Sequence, residues 1–112
     1  MVELIKDKKE IIKIIDEKIK ERKLNFTQYF RWRTSLRGIS DEKVLEIFPQ
    51  FDKVFAIEKK MLKYGDTGYE LFYGLSNNIT FSIALCPQEN KLDLIHAIEY
   101  KRSLERRFRR IA

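Results

Sequence analysis

The stretch from Ile79 to Tyr100 constrains the fold more than any other part of the chain. Ile79, Phe81, Ile83 and Leu85 alternate with Thr80, Ser82, Ala84 and Cys86. Successive side chains of a strand point to opposite faces, so this period-two pattern marks a half-buried strand. Leu92, Leu94, Ile98 and Tyr100 repeat the pattern after Pro87-Gln88-Glu89-Asn90, which is turn chemistry. The stretch therefore predicts the two central strands of a small antiparallel sheet.

The rest of the chain falls into place around that pair. Residues 2–23 predict an amphipathic helix, because Leu4, Ile11, Ile15 and Ile19 recur at spacings of three, four and seven. Ile5, Ile12, Ile19 and Phe26 also fall seven apart, which resembles a short coiled-coil seam. Residues 25–37 predict a second helix, with Asn25 as its cap, Gln28 completing a capping box and Gly38 as its stop. Ser40 opens a third, with Ile39 and Val44 placed as a hydrophobic staple and Pro49 at its end. Two more strands are expected, near 52–63 and 69–75, the first with Phe55, Ile57 and Met61 on one face. Lys101 to Ile111 reads as a basic terminal helix. Every strand-to-strand connection is short, so neighbours should be antiparallel. The expected architecture is a single α+β domain over 1–112: N-terminal helices, a four-stranded antiparallel β-meander and a C-terminal basic helix.

Length and charge narrow the class. The 112 residues suffice for one domain with one core. No apolar run approaches the roughly 20 residues that span a bilayer. Charges interrupt the N-terminus from Lys6 onward, so no signal peptide is expected and the protein should be cytoplasmic. Cys86 has no partner for an internal disulfide and reads as a small buried hydrophobe. Abundant Lys, Glu, Arg and Ile lean toward a thermophile source.

The net charge is +6, and its placement is uneven. Residues 24–37 carry Arg31, Arg33 and Arg37 with no acid, and residues 101–112 carry six basic groups against Glu105 alone. The predicted sheet between them is acidic. Such segregation points to a polyanion or an acidic protein partner. Arginine supplies nearly all of these groups, although lysine outnumbers it in the whole chain. Its planar fork suits bidentate phosphate contacts and stacking. Phe26, Tyr29, Phe30 and Trp32 interleave with the first arginines, a combination that serves nucleic acid and protein interfaces alike.

Catalytic motifs are sparse. There is no Gly-rich phosphate loop and no Cys/His metal spacing, so neither metal ligands nor a cofactor are assigned. His96 stands alone in its strand; on the Leu94/Ile98 face it reads as a hydrogen-bonded core histidine. Glu99-Tyr100-Lys101 is similar, over three residues, to the E-x-K element of the PD-(D/E)xK nucleases. A broader likeness comes from the helical N-terminal half, the strand Gly68-Tyr69-Glu70-Leu71-Phe72-Tyr73 and the Arg-rich terminus. Over about residues 50–110 these resemble the RelE/ParE superfamily of small basic toxins. That resemblance implies metal-independent messenger RNA cleavage, with Tyr100, His96 and Arg102 as catalytic candidates, and an acidic antitoxin as partner.

Three functional classes stay open. One is an RNA-binding module using Arg31, Arg33, Arg37, Lys101, Arg102, Arg106, Arg109 and Arg110. Another is a toxin-like ribonuclease on the same surface, with Tyr100 as acid, His96 as base and arginines as phosphate clamp. The third is a protein-interaction domain that forms a homodimer without catalysis.

Overall fold

The computed structural model describes residues 2–109. Six strands form one sheet: β1 (Val2–Ile5), β2 (Lys23–Asn25), β3 (Val54–Met61), β4 (Thr67–Ser76), β5 (Ile79–Pro87) and β6 (Lys91–Tyr100). Four α-helices accompany them: α1 (Lys8–Ile14), α2 (Gln28–Leu36), α3 (Asp41–Ile47) and α4 (Glu105–Arg109). The spatial order is β1-β3-β4-β5-β6-β2. All neighbours are antiparallel except β2, which runs parallel to β6 through Lys23–Lys91, Leu24–Leu92 and Asn25–Asp93.

This corrects the expected four-stranded antiparallel meander. The four strands over 54–100 are present and antiparallel, but each edge carries a further strand. The first segment is not helical from residue 2: Val2–Ile5 pairs with β3 instead. Asp7 then caps α1, its carboxylate accepting from the Glu10 amide at 3.1 Å. The end of this helix widens into a π-helical turn over Ile15–Ile19. The anticipated cap of α2 is also displaced. Thr27 caps it, accepting from the Phe30 amide, while Asn25 sits in β2 and donates to the Asp93 carboxylate at 2.7 Å. The terminal helix is short, and Lys101 to Leu104 precede it as non-helical chain. Gly38 ends α2 as anticipated, with φ of +68°, and Ser40 caps α3.

One sheet face holds the main core. Ile57, Leu71, Tyr73, Phe81, Ile83, Leu85, Leu92 and Leu94 meet Ile11, Ile15 and Ile19, Phe30 of α2, and Val44 and Ile47 of α3. The Tyr73 hydroxyl donates to the Phe48 carbonyl at 2.8 Å within this layer. Ile5, Ile19 and Phe26 of the supposed coiled-coil seam also pack here, and Ile12 alone is exposed. No continuous helical dimer seam is left. Strand β3 is not an edge, since β1 pairs with it along residues 57–60.

The opposite face is half covered. Ala56, Phe72 and Leu104 are buried there, with Leu4, Phe55, Tyr100 and Phe108 packed against them. The Thr80 hydroxyl accepts from the Leu104 amide at 2.9 Å, which docks the chain leading into α4. Strand β5 is consequently buried on both faces rather than half-buried. Met61, assigned to the core with Phe55 and Ile57, is exposed; a register shift between Val54 and Ala56 turns Phe55 to the second face.

A second irregularity sets up the site. Ala84 pairs with His96 but Leu85 pairs with Leu94, so Ile95 is an extra residue in β6. A bulge of this kind reverses the inside–outside phase of the strand beyond it. Leu92 and Leu94 enter the main core, while His96 and Tyr100 emerge on the second face. Phe81 lies at the centre of the main core and is fully buried. Its replacement by Ala should cost about 3–5 kcal/mol in denaturant unfolding.

Candidate nucleic-acid interface

Beyond the Phe55/Phe72/Phe108 cluster the second face changes from apolar to charged. Cross-strand register lines up Glu58, Glu70, Ala84 and His96 in one row over β3, β4, β5 and β6. Ala84 is small, so Glu70 and His96 approach over it, with Oε1 and Nε2 3.9 Å apart. Lys60 lies one step along β3, and Arg33 reaches in from α2 to line the same groove, about 220 Å³ in volume. Gly68 lets the Leu62 side chain close down on the groove, since a Cβ there would stand 3.1 Å from it.

Helix α2 lies along the free edge of β6. The Thr27 hydroxyl donates to the Leu94 carbonyl at 2.9 Å and Arg37 Nη1 to the Ala97 carbonyl at 3.3 Å. These bonds serve backbone groups that no further strand pairs. They also fix Arg33 and Arg37 beside the row of titratable groups.

Burial and neighbouring charge perturb this row. His96 is held down to about 4, first by desolvation and then by Arg33, Arg37 and Lys60. It is therefore uncharged at neutral pH, and its approach to Glu70 is not an ion pair. Glu70 is pushed up by burial, reinforced by Glu58 and opposed by Arg37 and Lys60. Tyr100 is also raised, chiefly by burial and then by Glu70, so it keeps its proton. Ser82 Oγ stands close enough to Glu70 and Tyr100 to favour their charged forms, yet meets hydrogen-bond geometry with neither. Among the described residues only two buried side-chain polar atoms lack a partner, Ser82 Oγ and His96 Nδ1. Both lie on this face. Such atoms are rare in native proteins, and their clustering marks a site.

The structure sorts the residues singled out from sequence. His96 and Arg33 line one groove on the second face, and Arg37 lies near enough to act on His96 electrostatically. Tyr100 is on the same face but packs against the Ala56/Phe72/Leu104 cluster rather than lining the groove. Arg31 does not join them: two residues from Arg33, it is turned about 200° around the helix. It pairs with Asp41 at 3.1 Å and lies over the Phe26 ring. Lys101 pairs with Glu99, which Lys43 also holds at 2.8 Å; this leaves the E-x-K likeness without a free carboxylate. Arg102 and Arg106 line a separate shallow depression with Arg107, next to Leu104, rather than the His96 groove. Leu104 and Phe108 dock on the second face, so this basic segment and Arg33/Arg37 border one side of the sheet. Arg109 ends α4, and Arg110 lies outside the described residues. The core-histidine assignment of His96 is overturned by the Ile95 bulge.

Glu58, Lys60 and Ser82 were not anticipated as site residues, and Glu70 entered only through its strand motif. They become neighbours only through register, and the signal available was the mixed outward series Gly68, Glu70, Phe72, Gly74 of β4. Among the described residues no group of three or more His, Cys, Asp or Glu could hold a metal ion, and no helix is long and apolar enough to cross a membrane. Comparison of the chain with protein-family models, curated proteins and solved structures finds no match.

A buried carboxylate whose pKa is raised is a cost to the folded state above its unfolded value, because the unfolded chain ionises more easily. Glu70→Gln should therefore be more stable than the wild type at pH 7. The difference should shrink as pH falls through the carboxylate range, in denaturant titrations at both pH values.

Proposed function

We propose that this protein binds single-stranded RNA across the second face of its sheet and cleaves the phosphodiester backbone there. The observation that carries the reading is the groove on this face, where His96 lies beside Arg33 and Lys60, with Arg37 near enough to act on it electrostatically. The imidazole is uncharged at physiological pH and can accept a proton, but with a pKa of about 4 it is a weak base. Cations that depress its pKa are also placed to receive a phosphate.

The chemistry is an internal transesterification. His96 takes the proton of the ribose 2′-hydroxyl, and the 2′-oxygen attacks phosphorus. The bond from phosphorus to the 5′-oxygen breaks, leaving a 2′,3′-cyclic phosphate. Tyr100, which holds its phenolic proton, donates it to the departing oxygen. Arg33 and Arg37 stabilise the charge that builds on the phosphorane. Glu70 fixes the neighbouring groups and balances the cations. The basic segment beside α4 extends the positive border along the strand. The basic surface and the strand Gly68-Tyr69-Glu70-Leu71-Phe72-Tyr73 also support the likeness to the RelE/ParE toxins, in which the sheet face serves RNA cleavage.

His96→Gln should bind a labelled single-stranded RNA with nearly wild-type affinity while its cleavage rate falls by about 10²–10⁴-fold. Arg33→Glu with Arg37→Glu should instead lose affinity. If about four phosphates are contacted, wild-type binding should show a log–log salt slope near −3, and the double variant a shallower one. With a base titrating at about 4, cleavage should be nearly flat through neutral pH and decline on its acid limb. RNA left intact by wild-type protein at saturation would sink the catalytic part; the absence of salt-dependent binding would sink the whole.

A further inference from the structure

Helix α2 turns Phe30 and Thr34 inward and leaves Tyr29, Trp32 and Leu36 on its outer side, spaced three and four apart. Tyr29 is 52% exposed and Trp32 59% exposed, although both could have contributed to the core. The two rings lie side by side, centroids 6.1 Å apart and planes inclined at 41°. The patch is joined to the groove by one residue. Arg33 donates from Nη1 to the Tyr29 hydroxyl at 2.7 Å, holds its guanidinium 5.5 Å from the centre of the Tyr29 ring, and lines the groove beside His96. The segment 24–37 contains three arginines and no acid.

We infer that Trp32 and Tyr29 form a stacking platform for a base of the RNA, next to the nucleotide whose phosphate enters the groove. The inference rests on reading the groove as an RNA site. Continuity through Arg33 and the all-positive charge of the segment select nucleic acid over an apolar protein partner. Two exposed rings inclined to one another offer an unpaired base a π-face on Trp32, with Tyr29 beside it, without reading the base's edges. Bases inside a duplex cannot reach it. The platform therefore limits the substrate class to unpaired RNA and leaves base preference weak.

Trp32 is the only tryptophan in the chain, so its emission reports on the platform directly. The full chain is titrated with a single-stranded oligoribonucleotide, a duplex of the same length, and heparin, a polyanion without bases; His96→Gln prevents cleavage during the titration. Saturable quenching by the single strand is expected. Heparin should bind, as followed by salt-sensitive retention on a heparin column, without quenching. Trp32→Ala should weaken single-strand affinity about tenfold and leave heparin retention and thermal stability unchanged, with Trp32→Phe restoring much of the loss.

The outcomes separate the platform from the reading beneath it. Single-strand binding without quenching, and equal affinity of Trp32→Ala, would overturn the platform while leaving the RNA site standing. Equal quenching by duplex would overturn the restriction to unpaired RNA. A wild-type protein that sediments as a dimer and becomes a monomer in Trp32→Ala would assign the patch to a second copy and overturn the inference. If neither RNA nor heparin binds, the RNA site and the platform fall together.

Discussion

Between Leu94 and His96 the pairing of β6 with β5 slips by one residue, and Ile95 has no opposite number. Strand periodicity is strict, so one extra residue exchanges the two faces for everything beyond it. Before the bulge, β6 sends Leu92 and Leu94 into the core under the helices. After it, the same strand sends His96 and Tyr100 to the other side, where Glu58, Glu70, Lys60 and Ser82 already point. Without the bulge His96 would enter an apolar layer, and the charged row would lose its histidine.

The two faces divide the labour of the sheet. The helix-covered face carries the main hydrophobic stabilisation, with α1, α2 and α3 packed over buried residues of β1, β3, β4, β5 and β6. The second face is closed at one end by Phe55, Phe72, Leu104 and Phe108 and left open at the other. In the open part, titratable groups are desolvated by their own neighbours without being fully covered. That partial burial raises Glu70 and lowers His96 together. Both shifts favour the uncharged form of each group, which is what partial desolvation does to a carboxyl and an imidazole alike. The arrangement also carries a stability cost, since a buried carboxylate and two unpaired polar atoms are retained where apolar residues would fit.

Much of this frame was legible in the sequence. Alternation located β3 to β6 to within a few residues, because their buried side chains are β-branched or aromatic and their turns carry Gly, Asn and Pro. Strand β1 was not legible, since Leu4 and Ile5 keep helical phase with Ile11, Ile15 and Ile19. Strand β2 is three residues long and pairs with a segment 68 positions away, which no local pattern announces. For the site, charge segregation drew attention to Arg33 and Arg37, whose charges act on His96. It grouped Arg31 with them wrongly, because composition ignores the helical angle and the pairing with Asp41. Glu58, Lys60, Glu70 and Ser82 depend on register across strands, and the side His96 faces depends on a bulge that leaves no mark in its residue types.

His96 is the only histidine in the chain, so its imidazole resonances can be followed by proton NMR without assignment by mutation. The account rests on that ring being half-buried among Arg33, Arg37 and Lys60 on the open face. Titration of the folded wild-type protein should give a histidine pKa of about 4. A value near the ordinary 6.5 would place the ring in water, free of the burial and the cations that surround it here, and would contradict the site described.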